Sequence, residues 1–183
     1  MRGARLDVLQ TSRLVLQPWN DGHRDSFAVL NADPEVMADL GGPLDRARSD
    51  AKFDRYRAEF DRNGVSRWAL QDRQGRFLGY SGVMFRADPR HPLGPHYDVG
   101  WRLVREAWGV GYATEATRAA LDHAFERLPM DEILSYAASD NVRSHSVMRR
   151  LDLRRDPGRD FTTRYDDVGE WRGLVWVASR AAR

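Results

Sequence analysis

A mixed α/β domain built on a twisted sheet is the fold class this sequence predicts, and three observations carry it. Apolar residues switch repeatedly between the two-residue repeat of strands and the 3.6-residue repeat of helices. Over residues 97–128 a strand runs through a glycine-bearing loop into a helix with an apolar stripe. The chain has 183 residues, 42% of them hydrophobic, which suits one domain over 1–183 with a single core.

Residues 13–19 (RLVLQPW) alternate apolar and polar side chains and read as a strand. Residues 20–31 put Phe27, Leu30 and Val29 on one helical face, with Asn20 or Asp21 as the cap. Asp33-Pro34 opens a short second helix, PEVMADL, stopped by Gly41-Gly42-Pro43. Residues 45–62 are charged, with Ala51, Phe53, Tyr56, Ala58 and Phe60 only loosely aligned, and read as a solvated helix. Segments 66–71 and 77–85 flank a polar turn containing Gly75, a hairpin signal. A strand over 97–104, a loop over 105–109 and a helix over 111–128 follow, the helix ended by Pro129. Residues 132–139 form a strand, Asp140-Asn141 caps a helix reaching 151, and 174–179 close the sequence as a strand.

Composition excludes much chemistry. No cysteine is present, so disulfide scaffolds, thiol nucleophiles, iron–sulfur clusters and cysteine zinc sites fall away. Histidines 23, 91, 96, 123 and 145 show no ligand spacing, so no metal is expected. Twenty-eight of the 29 basic residues are arginine and one, Lys52, is lysine, yet the net charge is only +2, short of a nucleic-acid footprint. Arginines 149, 150, 154, 155 and 159 interleave with Asp152 and Asp156, as on a salt-bridged surface. No apolar run spans a membrane and no signal peptide is evident, so the expectation is a cytoplasmic protein, with no membrane partner and a monomer or homodimer.

The most informative stretch is VGWRLVREAWGVGYATEA, residues 99–116. Gly109 and Gly111 allow close backbone approach, and the first helical turn presents amides without intrahelical partners. Those amides and the helix dipole favour a phosphate. A P-loop is excluded because no lysine is near, and a dinucleotide fingerprint because Thr114 stands where a third small residue is needed.

This segment resembles motif A of the GNAT acyltransferases. It looks most like the branch of bacterial ribosomal-protein N-terminal acetyltransferases, through Trp108, Gly109, Gly111, Tyr112, Ala113, Thr114, Glu115 and Ala116. A second block, Asn141, Ser144, Val147, Met148, Leu151 and Leu153, resembles that branch's Asn-x-x-Ser helix, with Asp152 replacing the usual glycine. The resemblance implies a mostly antiparallel twisted sheet whose central strands, 97–104 and 132–139, splay apart around acetyl-CoA, flanked by helices.

It also implies site residues. Backbone groups of Leu103 and Val104 would pair with the pantetheine arm. Amides of Trp108, Gly109, Val110, Gly111, Tyr112 and Ala113 would hold the pyrophosphate, with Thr114 and Met148 completing the cofactor side. Arg105 would meet a phosphate and Asn141 the pantetheine or thioester region. Ser144 would donate to the leaving thiolate. Asp98 would be the base, and Met37, Phe85 and Trp101 would line the acceptor site. The expected reaction is direct acetyl transfer to a primary amine, first a peptide or protein N-terminal α-amine. The alternatives are a small amine such as an aminoglycoside or polyamine, and a CoA-binding sensor or interaction module without catalysis.

Overall fold

The structure, a computed structural model, describes residues 7–165 and 169–182. In chain order the elements are β1 (Leu9–Gln10), β2 (Leu14–Gln17), α1 (Arg24–Ala32), α2 (Arg46–Asn63), β3 (Arg67–Asp72), β4 (Phe77–Arg86), β5 (His96–Leu103), α3 (Tyr112–Arg127), β6 (Glu132–Ala138), α4 (Val142–Arg150), β7 (Arg154–Arg155), β8 (Phe161–Tyr165) and β9 (Gly169–Ser179). They build one sheet in the order β1-β2-β3-β4-β5-β6-β9-β7, with β8 added to β9 as a hairpin. Every pairing is antiparallel except β5 with β6.

Strand alternation sorts the helices onto two faces. Tyr80 meets Tyr56 of α2 edge-on at 5.4 Å, while the neighbouring Ser81 hydroxyl meets Thr117 of α3 at 2.9 Å. The α1–α2 face buries Trp19, Phe27, Phe53 and Tyr56 as interlocked aromatic rings. The other face buries Ala116, Ala120, Leu121 and Ala124, the apolar stripe of α3.

The expected splay is present. Strands β5 and β6 are in register only at Asp98 and Leu134, and the Ser135 hydroxyl donates to the Val99 carbonyl at 3.1 Å. Beyond that point β5 pairs with β4 alone, through Leu103 opposite Gly79. The Val104 amide still donates to the Leu78 carbonyl at 3.0 Å, so by alternation the Leu103 amide points away from β4, into the opened side.

Three expectations need correction. Residues 34–40 form turns and a short 3₁₀ segment, Ala38–Leu40, rather than an α-helix. The Asp33 carboxylate takes the amides of Glu35 and Val36, and Gly41 at φ +85° ends the segment. The helix over 45–62 is more than a solvated surface, because Phe53, Tyr56 and Phe60 are fully buried. The last strand begins at Gly169, and its hairpin partner Phe161–Tyr165 was not anticipated. Asp152 does occupy the left-handed position where the resembling helices carry glycine, at φ +59°. The Leu153 amide returns to the Met148 carbonyl at 3.1 Å, closing the end of α4.

Candidate active site

The splay opens two cavities that meet beside β5. The first, about 350 Å³, is walled by Leu103, Trp108, Gly109, Gly111, Tyr112, Ala113 and Thr114 on one side and by Asn141, Arg143, Ser144, Val147 and Arg150 on the other. Gly109 and Gly111 stand at φ +77° and +86°, which side chains rarely tolerate, and this is what sequence alone could read. The amides from Gly109 to Thr114 meet no backbone acceptor among the described residues, whereas that of Trp108 is taken by the Arg105 carbonyl. The Thr114 hydroxyl is buried at the same place without a partner among the described residues. A run of free amides at a helix start beside an orphaned hydroxyl fits a phosphate-bearing substrate.

The loop is held from outside. Glu115 in the first turn of α3 accepts from the Thr11 hydroxyl at 2.5 Å, the Arg13 amide at 3.0 Å and Arg13 Nε at 2.6 Å. Burial works to raise the Glu115 pKa, but these hydrogen bonds prevail and lower it. Arg13 also donates to the Val110 carbonyl at 2.8 Å. The side chain of Trp108 donates to the Leu103 carbonyl at 2.9 Å, and the Arg143 guanidinium stacks 3.9 Å above its ring.

The second cavity, about 440 Å³, lies on the α1–α2 face. Its floor is a charge arrangement spanning three strands. Arg67 on β3 reaches across Gly82 and Gly100, where a β-carbon on Gly100 would stand 3.0 Å from its guanidinium. It donates to the carbonyls of Gly82 and Asp98 and, at 2.7 Å, to the Asp98 carboxylate. Arg86 grips the same carboxylate at 2.8 and 3.2 Å. Burial pushes the Asp98 pKa up, but the two guanidinium charges outweigh it and hold the group at about 2. Tyr80 is the counterpart. Burial acts to raise it, yet the charges of Lys52 and Arg102 bring its phenol down to about 7.

Trp101, Arg102, Asp39, Asn141 and Ser144 line both cavities and mark their junction. Arg102 donates to the Val36 carbonyl and, at 3.2 Å, to Asp39, while its Nε is buried without a partner among the described residues.

The expected residues distribute unevenly over this geometry. Ser144 stands at the junction, Trp101 on both sides and Met37 in the acceptor wall. Five expectations do not match. Asp98 has both oxygens engaged by arginines, and a carboxylate near 2 is a weak base, so the structure gives it a scaffolding place. The Arg105 guanidinium is held by Asp33 at 3.0 Å and Glu35 at 2.9 Å, outside the cofactor cavity. Met148 lines the acceptor side, whereas Phe85 packs on Tyr97 at 4.9 Å and lines neither cavity. The Val104 amide is also unavailable, being bonded to Leu78 of β4, whereas the Val110 amide keeps its place in the free run although its side chain is exposed. The Asn141 side chain is committed to capping α4, accepting from the Ser144 amide at 3.0 Å, and to donating to Asp39 at 2.6 Å. Sequence reasoning missed Lys52, Arg67, Tyr80, Arg86, Arg102 and Arg143. Only Gly100, under the Arg67 guanidinium, offered a local signal for any of them.

Comparison with known proteins agrees with this architecture. The acetyltransferase (GNAT) domain model matches residues 13–154, so the chain belongs to the GNAT family. It is an acetyl-CoA-dependent N-acyltransferase. A relative is the uncharacterized protein YkkB of Bacillus subtilis, 28% identical over 79% of this chain and 84% of that one. Another, the FsC-acetyl coenzyme A-N(2)-transacetylase of Aspergillus fumigatus, is 27% identical over 77% of this chain and 62% of its own length. An acetyltransferase from Agrobacterium tumefaciens superposes with a TM-score of 0.79 at 26% identity, covering 96% of both chains. The ribosomal L7/L12 α-N-protein acetyltransferase RimL with coenzyme A (TM-score 0.76, 14% identity, 97% and 100% covered) shares the fold alone. So does the Vibrio cholerae spermidine N-acetyltransferase with CoA and spermine (0.73, 17%, 93% and 98%).

Proposed function

We propose that acetyl-CoA occupies the cavity between β5 and α4, that a primary amine enters from the α2 side, and that acetyl transfer takes place at their junction. The observation that carries this reading is the meeting of the two cavities beside the opened edge of β5, at Trp101, Arg102 and Ser144. Phosphates rest on the free amides from Gly109 to Thr114 and on the Thr114 hydroxyl, with Arg143 and Arg150 along the wall. The pantetheine arm follows β5, where the Leu103 amide faces it.

The amine nitrogen attacks the thioester carbonyl, the carbon–sulfur bond breaks, and the amine loses a proton. Ser144 is positioned to donate to the departing thiolate. Tyr80, which lines the acceptor cavity and whose phenol the Lys52 and Arg102 charges bring down, takes the place foreseen for Asp98 as proton acceptor. An α-amine with a pKa of ~8 costs about 1 kcal/mol to deprotonate at pH ~7.4, against about 4 for a lysine side chain. Cations around the acceptor cavity lower that cost further, because they disfavour an ammonium. The favoured acceptor is therefore an α-amine, such as a peptide N-terminus, and a polyamine suits the same charges poorly.

The test is thiol release from acetyl-CoA with N-terminally free and N-terminally blocked peptides, with mass spectrometry of the product. Acetylation of the free α-amine alone is expected. Binding of acetyl-CoA without release against any amine would overturn catalysis in favour of a binding module. Tyr80→Phe is expected to lower kcat/KM about 10²-fold and to remove the rise in rate with pH near 7. An unchanged pH profile would remove Tyr80 from the reaction.

A further inference from the structure

We propose that the acceptor amine carries a carboxylate on the same molecule, and that Lys52 is the residue that selects it. This rests on the assignment of the second cavity to the acceptor. Lys52 is the single lysine of a chain with 28 arginines, and its ammonium faces that cavity. It is held by the Asn31 carbonyl oxygen at 3.0 Å and the Tyr80 hydroxyl oxygen at 3.4 Å, neither of them a carboxylate. The rings of Phe27, Tyr56 and Tyr80 lie 5.7, 5.8 and 5.3 Å away. Asn31 is itself fully buried and fixed by donating to the Phe27 carbonyl and the Ser49 hydroxyl, so the ammonium is held in place from beneath. Among the described residues no carboxylate pairs with Lys52. An ammonium has three donors, and two are used here, which leaves one for the cavity.

The surroundings reinforce the same preference. Five cationic side chains line the cavity, Lys52, Arg55, Arg67, Arg86 and Arg102, against two described carboxylates, Asp39 and Asp98. Cations remain in excess even with Tyr80 ionised. Arg67 and Arg86 share the one Asp98, and Nη1 of Arg86 has no partner among the described residues. An ammonium entering such a cavity is repelled, so an acceptor needs a second group that the cavity attracts. A carboxylate on the same molecule supplies it, through a charge-assisted hydrogen bond to the free Lys52 donor. The nitrogen, displaced toward the junction, then sits neutral among the same cations and ready to attack.

The experiment compares kcat/KM for thiol release from acetyl-CoA with Asp-Ala-Ala amide, Asn-Ala-Ala amide, free glutamate and spermidine. It uses the wild-type chain, Lys52→Met and Lys52→Arg. The Asp peptide is expected to exceed its isosteric Asn peptide by about tenfold or more, with spermidine below both. The ratio should collapse toward one in Lys52→Met and return in Lys52→Arg. Glutamate against the Asp peptide tells whether the carboxylate belongs to a free amino acid or to a peptide. A wild-type ratio near or below one overturns the proposal even where Lys52→Met fails to fold, and so does a ratio that survives Lys52→Met. Calorimetric binding of the two peptides to the CoA-bound chain separates the two readings. Lys52-dependent preference without thiol release keeps the carboxylate site and overturns acetyl transfer. Thiol release without preference keeps acetyl transfer and overturns the carboxylate site. Absence of both turnover and binding overturns this proposal as well.

Discussion

The two cavities are made of different materials. On the cofactor side the ligand-facing atoms are mostly backbone: amides from Gly109 to Thr114, released by two glycines at positive φ and fixed by Glu115 and Arg13 from behind. On the acceptor side they are side-chain charges from α2, β3, β4 and β5, gathered by sheet register into a buried floor. Backbone geometry suits a ligand that never varies. Charges on four separate elements can be exchanged one by one, which suits the partner that distinguishes one transferase from another.

Substitutions should break the two sides in different ways. The largest effect is expected for Asp98→Asn, which leaves the buried Arg67 and the half-buried Arg86 without their anion and should cost about 3–5 kcal/mol of stability in denaturant unfolding. The sign with pH follows from its depressed pKa. The carboxylate's contribution is fully present above its ordinary value of 3.8 and is lost as pH falls toward about 2, so Asp98→Asn should flatten the acid limb of the stability curve. Equal acid limbs in the two proteins would contradict the charged floor.

Gly111→Val forces a β-branched residue to φ +86° in the cofactor loop and should weaken acetyl-CoA binding by about 10²-fold or more. A smaller and opposite pair of effects is expected for Thr114→Val. Removing an unpartnered buried hydroxyl should leave the free chain as stable or slightly more so, while CoA affinity falls about tenfold. Equal loss of both would make Thr114 a structural residue. The smallest effect lies away from both cavities. Asp152→Gly relieves a side chain at φ +59° and should raise stability by about 0.5–1 kcal/mol in denaturant unfolding, with no change in CoA binding.

The same division decides what could be read from sequence. The cofactor side was legible because its requirements are local: Gly109 and Gly111 must be glycine, Asn141 must cap α4, and these positions lie within short stretches. The acceptor side was not, because Arg67 and Asp98 are 31 residues apart and meet only through the register of β3, β4 and β5. Asp98 was noticed for its position in the strand, but nothing near it in sequence announces two arginines. Lys52 stood out in composition, yet it lies on a helix whose charge made it look solvated, and the burial of Phe53 and Tyr56 beside it is a tertiary effect. The cue that was present is Gly100 inside a strand, where no turn needs it and the crossing Arg67 side chain accounts for it; Gly82 next to it is required by the close backbone of Ser66 and Arg67.

Calorimetric titration of acetyl-CoA onto wild type, Gly111→Val and Lys52→Met tests the division most directly. One-to-one binding by wild type is predicted, with a loss of about 10²-fold in Gly111→Val and an affinity within about twofold of wild type in Lys52→Met. Equal losses in both variants, or no binding by wild type, would contradict a backbone-built cofactor cavity separate from a charge-built acceptor cavity.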